Sequence, residues 1–335
     1  MKKILISLII LLTLTGCSNK DKVIIDNNKE TTYFPIANNY KKGVSGFYIV
    51  NNLSNRIDTK EVELGLMTLS TNYFNNSNSY YQNGLYLDRK KLSKIIKEIN
   101  NQPIEINNQK YKIPVISYIY ETNYVNHAND LKGISLAIAI NSNQLISGQN
   151  IELSNDDIKK FIIQNSHLLI EPIRNIKSLS DKKIVVGIFK LKPMDSLLPG
   201  HYIARGIAKD NKITNLININ QQKLVMNSDE VKVIDELNYK NYINLENDLR
   251  KKYNNILIQG IANYSDKDLT ELDININVGA VSVNMIMSIG QDIINNIQSN
   301  FNNKNIKVVI KNDNNATALV VFNQYNKNGS IYLLP

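Results

Sequence analysis

The residues best placed to do chemistry in this 335-residue chain are Leu14-Thr15-Gly16-Cys17. Cys17 carries the only thiol, so it has no disulfide partner within the chain. It stands behind Lys2, Lys3 and an 11-residue apolar run from Ile4 to Leu14. Such a run is short of the roughly 20 residues a membrane-spanning helix needs, and it has the length of a secretory h-region. Thr15 and Gly16 are small enough for a peptidase to fit the backbone. The tetrapeptide therefore reads as a lipobox: Cys17 is acylated on sulfur, the chain is cut between Gly16 and Cys17, and Cys17 becomes the new N-terminus. A lone cysteine is otherwise a small core residue; its place at the end of an h-region favours lipidation. Each buried methylene of an acyl chain contributes about 0.8 kcal/mol, so two palmitate-like chains anchor stably. The partners this implies are membrane lipid and the enzymes that process lipoproteins. The expected location is the extracytoplasmic face of the cell membrane.

Elsewhere the chemistry is sparse. His127, His167 and His201 are the three histidines, and none pairs at metal-ligand spacing. No metal site and no cofactor is expected. There is no Gly-rich phosphate loop and no Gly-x-Ser-x-Gly elbow. Ser180-x-x-Lys183 has the spacing of some acyl enzymes but falls in a polar turn leading into a strand. The body is read as non-enzymatic. His201 and Arg205 lie an even number of residues apart on one predicted strand, so alternation puts them on one face, where they could bind an anion; the alternative is two surface residues on a half-exposed strand. Tyr73, Tyr80, Tyr81 and Tyr86, among 18 tyrosines, gather near one loop. Tyrosine suits recognition surfaces because a rigid apolar ring carries a polar tip, and it is as common at ordinary strand and loop edges.

The net charge is +9, and all but five of the 39 basic residues are lysine. The lysines are scattered rather than bunched, and none of the basic stretches interleaves with aromatic rings. Specific nucleic-acid binding is not expected. The excess of Lys, Asn and Ile is what an AT-rich genome writes. A hydrophobic fraction of 43% with 21% charged residues fits a globular body.

The elements that position these residues follow from periodicity. Residues 1–16 form the signal peptide and 17–42 a polar tether, in which Tyr33-Phe34-Pro35-Ile36 is apolar enough to dock on the body. A first helix follows Asp58, which with Glu61 three residues on makes a capping-box-like start; Val62, Leu66, Leu69 and Tyr73 then recur at helical spacing. Asp88 caps a second helix bearing Leu92, Ile95 and Ile99. Residues 112–121 and 133–141 read as strands. In the latter Ile134, Leu136, Ile138 and Ile140 face one side, while Ser135, Ala137 and Ala139 leave the other small enough for close packing. Ser154 caps a third helix; strands follow at 183–191 and 201–209, and β pattern continues through 213–220. A helix at 245–253, strands at 256–264 and 269–278, a helix opened by Ser282, and strands at 306–311, 316–323 and 330–334 complete the chain. Helix, strand, strand, helix, strand, strand thus occurs twice. The expected fold is α+β, with two related subdomains at 43–212 and 213–335, each a small sheet with packed helices, built as a tandem duplication.

The order and spacing of several segments resemble the CamS family of Gram-positive lipoproteins, known as sex-pheromone precursors. They include the lipobox with Cys17, Tyr33-Phe34-Pro35, Glu63-Leu64-Gly65-Leu66 through Leu69, Gly84-Leu85-Tyr86-Leu87, the strand Gly133 to Asn141, and Pro199-Gly200-His201-Tyr202-Ile203-Ala204-Arg205-Gly206. The resemblance implies two products, a lipid-anchored body and an excised signal peptide trimmed to a short apolar mating signal lying within Ile9 to Gly16. The resemblance defines no role for the body. The other reading of the body is an envelope binding module that captures a peptide, glycan or wall polymer between subdomains; an envelope hydrolase is a weaker third.

Overall fold

The computed structural model describes residues 34–43, 57–75, 77–301, 304–313, 315–323 and 326–334. The expected signal peptide, Gly16, Cys17 and most of the expected tether lie outside these residues.

Helix α1 (Ile57–Ser70) opens the first half. Strand β1 (Tyr80–Asn83) and helix α2 (Arg89–Asn100) follow; Asp88 caps α2 by accepting from the Lys91 N–H, an arrangement that contributes about 1 kcal/mol. The hairpin β2 (Ile104–Ile106) and β3 (Gln109–Tyr111) leads into β4 (Ile116–Val125) and β5 (Leu131–Ile140). A second hairpin, β6 (Asn143–Ile146) and β7 (Gln149–Glu152), precedes α3 (Asn155–Arg174), which Ser154 caps through the Asp157 N–H. Strands β8 (Lys183–Lys190), β9 (His201–Lys209) and β10 (Lys212–Asn218) complete a six-stranded sheet in the order β1-β4-β5-β8-β9-β10.

The second half runs β11 (Gln221–Val225), α4 (Asp229–Ile234), α5 (Glu236–Lys252), β12 (Leu257–Ser265), β13 (Asp268–Asn277), α6 (Val283–Asn300), β14 (Asn305–Asn312), β15 (Asn315–Asn323) and β16 (Asn326–Leu333). Its strands also form a six-stranded sheet, in sequence order. In both sheets the third and fourth strands, β5/β8 and β13/β14, form the one parallel pair, and all other pairs are antiparallel. A parallel pair needs a crossover, and a helix supplies it in each half, α3 or α6. The same topology thus occurs twice, as the repeated pattern predicts. Each half has its own apolar core, one drawn from Val62 to Ile219 and the other from Leu224 to Phe322. The halves are tied by Lys223 Nζ on Glu61, 2.6 Å apart.

The small face of β5 is covered by α1. Ser70 and Ser135 hydroxyls meet at 2.7 Å beneath the helix. Tyr202 passes its ring between α1 and β8 and donates to the Val62 carbonyl at 2.7 Å. A Cβ at Gly65 or Gly187 would come within 2.5 or 2.6 Å of that ring, so glycine is what admits it. Phe34-Pro35-Ile36 docks on the edge of the first sheet: the Tyr81 N–H donates to the Pro35 carbonyl at 2.7 Å, and Phe34 is buried against Tyr124.

Several boundaries differ from the sequence reading. The strand expected at 112–121 is β4, which starts at Ile116; Pro114, lacking an N–H, cannot join the ladder. Pattern alone did not separate β10 from β11. Ile213 and Ile219 belong to the first core, so the change of sheet falls between Asn218 and Gln221, after the expected boundary at 212/213. Helix α5 begins at Glu236 rather than near Leu245, capped by Asp235, and Tyr239, Tyr242 and Ile243 of its first turns pack on the second core. Asp58 does not cap α1. It lies inside the first turn, fully buried, with Oδ1 accepting from the Gly200 N–H at 2.6 Å.

Candidate functional site

Strands β5 and β8 run parallel and end level, at Ile140 and Lys190. Beyond them the chain parts, one branch entering the β6–β7 hairpin and the other the loop before β9. The branches are tied just below the parting: Ser142 Oγ donates to the Leu191 carbonyl at 2.6 Å, and the Leu191 N–H donates to the Ile140 carbonyl at 3.0 Å. Above this tie lies a cleft of about 390 Å³. In open parallel sheets the crevice outside the carboxyl ends of the strands is a common ligand site, since the backbones diverge there, and the single parallel pair here makes one such end.

The hairpin forms one wall. Its register pairs Asn143 with Glu152 and Leu145 with Asn150, so these four share its outer face, while Gln144 and Ile146 turn inward and are buried. Ser147 and Gly148 close the turn with positive φ of 52° and 81°, the conformation of a two-residue type I′ hairpin. Lys192, Met194 and Asp195 form the facing wall. Met194 on this wall is 75% exposed, and Leu145, paired with Asn150 on the outer face of the hairpin, is 71% exposed.

His201 stands behind this wall, opposite Lys190 in the ladder. Burial, with Lys192 and Lys190 adding to it and Glu152 opposing, pulls its imidazole down to about 4. It is therefore neutral at neutral pH. Arg205 is elsewhere. Between the pairs Phe189–Tyr202 and Ile188–Ala204 the register slips by one residue, at Ile203. The bulge reverses alternation, so His201 and Arg205 lie on opposite faces of the sheet and the expectation of a shared face fails. Arg205 is only 4% exposed, packs against the Tyr73 ring at 5.7 Å, and has no hydrogen-bond partner for Nη1 among the described residues.

The four tyrosines do not make one patch. Tyr73 lies against Arg205. Tyr81 meets the Tyr120 hydroxyl at 3.0 Å, and burial pushes its phenol up to about 12. Tyr80 points out to His127, at 3.3 Å from Nδ1. Tyr86 packs on the first core, and its N–H donates to Glu121. Glu121 also accepts from the Leu87 N–H at 2.8 Å, which fixes the Gly84 to Leu87 segment as it enters α2; burial raises its pKa and these backbone donors oppose the rise. Ser180 and Lys183 are engaged apart, the hydroxyl on the Lys177 carbonyl and the ammonium on the Tyr73 carbonyl. No group of three or more His, Cys, Asp or Glu able to hold a metal occurs among the described residues, and no described helix is long and apolar enough to cross a membrane.

The cleft residues carried a weak mark in the sequence. An apolar strand stops abruptly at Asn141-Ser142-Asn143, and Pro193 punctuates the end of β8. Only the parallel pairing shows that the two breaks adjoin.

The fold has solved relatives. A sex pheromone precursor from Lactobacillus salivarius subsp. salivarius UCC118 superposes with a TM-score of 0.77 at 20% identity, over 88% of this chain and 93% of that one. The C-terminal domain of the sex pheromone staph-cAM373 precursor from Staphylococcus aureus superposes with a TM-score of 0.68 at 20% identity, over 85% of this chain and 98% of that one. At such identity these likenesses establish the fold. No curated protein sequence matches the chain. The family model described as CamS sex pheromone cAM373 precursor matches residues 40–328, nearly all of the body that the two sheets build, and the chain therefore belongs to the CamS family.

Proposed function

We propose that this chain is a lipoprotein precursor with two products: a body anchored by lipid on Cys17 at the extracytoplasmic face of the cell membrane, and an apolar peptide released from the signal sequence. One observation carries the reading. The only cysteine of the chain closes a lipobox at the end of an h-region too short to span a bilayer. Membership of a family described as pheromone precursors supports the second product. Membrane lipid and the lipoprotein-processing enzymes are the partners, and the body performs no catalysis. The test compares the native strain with a Cys17→Ala strain. Fatty-acid labelling of the protein, and a peptide ending at Gly16 in spent medium, should both vanish in the variant. Persistent labelling refutes lipidation at Cys17; a labelled body with no released peptide refutes the precursor role.

A second reading concerns the body, as a binding module of the cell envelope. The observation that favours it is the cleft beyond β5 and β8, where exposed apolar side chains rim a polar floor. On this reading the binding surface is the end of the first sheet rather than the space between the two halves.

A further inference from the structure

We propose that the cleft beyond β5 and β8 holds the carboxyl-terminal end of an apolar peptide. This deepens the binding-module reading and rests on it. Hydrogen-bonding groups line the cleft without being used up by the fold. Asn150 makes no side-chain hydrogen bond, and Lys192 and Asp195 make no ion pair, among the described residues. Asn143 donates to Ser142 Oγ at 3.0 Å, which leaves its carbonyl oxygen free. A carboxamide offers one donor group and one acceptor, the complement of a peptide unit. The Lys192 ammonium offers a partner for a carboxylate. Met194 in the cleft wall and Leu145, paired with Asn150 on the hairpin, are exposed apolar surface against which uncharged side chains can leave water.

Size and composition narrow the class. A volume of about 390 Å³ is near the lower end for ligand sites, room for the last few residues of a chain rather than a long segment. A sugar would want a ring to stack on, and no aromatic side chain lines the cleft. A polyanion would want several cations, and here the single lysine in the cleft lining stands three residues from Asp195 and near the Glu152 carboxylate, whose pKa it helps to lower. What remains is a neutral, apolar peptide with one negative end, the group that Lys192 selects.

The experiment uses the mature chain, residues 17–335, with Cys17→Ser so that no lipid is attached. The probe is the synthetic octapeptide Ile-Ile-Leu-Leu-Thr-Leu-Thr-Gly, the sequence of Ile9 to Gly16, prepared as the free acid and as the C-terminal amide. Titration calorimetry should show saturable binding of the acid and about tenfold weaker binding of the amide, the scale of one hydrogen bond to a charged group. Lys192→Gln should weaken the acid about tenfold and abolish the difference between acid and amide; Asn150→Ala should weaken both. Both positions are at the surface of the cleft, so unchanged thermal melts confirm that the variants fold. Equal binding of acid and amide, or no effect of Lys192→Gln, overturns recognition of the chain end. Failure of the octapeptide to bind, with wall teichoic acid bound in a Lys192-dependent way, overturns the peptide class while keeping the binding module. Failure of both overturns the module as well. None of these outcomes depends on whether cells release the octapeptide.

Discussion

Asp58 offers the sharpest test of how the first half is assembled. Its carboxylate is wholly buried under the start of α1, with one oxygen on the Gly200 N–H and the other without a partner among the described residues. Burial is the main cause that raises its pKa from 3.8 to about 6; the Gly200 hydrogen bond opposes this and Glu61 adds to it. At 1.36 kcal/mol per unit, the ionised group costs the folded state up to about 3 kcal/mol. The folded pKa exceeds the unfolded one, so the relief is complete below about pH 3.8 and is lost as pH rises through about 6. His201 works the other way: its folded pKa of about 4 lies below its ordinary 6.5, so its contribution is present above 6.5 and is lost as pH falls toward 4. The two oppose each other across one window, and the wild-type stability curve is flattened there. Asp58→Asn keeps the acceptor for Gly200 and removes the charge. Its new amide N–H group takes the place of the unpartnered oxygen, at a pH-independent cost of about 1–3 kcal/mol. The readout is therefore the slope. In urea denaturation followed by circular dichroism, the variant should gain on wild type by up to about 3 kcal/mol between pH 4 and pH 8. Curves that stay parallel would show that the carboxylate bears no burial cost, and the reasoning would be wrong.

Two further outcomes test the packing of α1. Gly187→Ala places a methyl about 2.6 Å from the Tyr202 ring and should destabilise the first half by about 1–3 kcal/mol, as overpacking does, measured by the same denaturation. Ser70→Ala removes a hydroxyl that donates to the Leu66 carbonyl and meets Ser135, and should cost about 1–3 kcal/mol, whereas Ser135→Ala leaves Ser70 on Leu66 and should cost less; the double variant should cost less than the sum of the two, because the contact between the hydroxyls is lost only once; additive losses would show that the hydroxyls are not paired.

Much of the body was legible along the chain because its signals are local. Asp88, Ser154 and Ser282 accept hydrogen bonds from their own helices three residues on. The small face Ser135-Ala137-Ala139 announces a close neighbour, and the doubled order of elements announces two sheets of one design. The short hairpins at 104–111 and 143–152 were not foreseen, because strands of three or four residues show too little alternation to stand out from loops. The separation of His201 from Arg205 was beyond reach for a related reason: a one-residue bulge leaves no mark in a run of apolar and small side chains, yet it reverses every face after it.

The sequence by itself determined the cores of most helices and strands, and the repeat, since each depends on residues near one another in the chain. Only the tertiary structure decided that α1 lies on the small face of β5, that Asp58 meets Gly200, and that the breaks after β5 and β8 share one cleft. Those facts depend on which strands pair and in what register. Pairing is fixed by burial summed over residues far apart in sequence, and no local pattern records that sum.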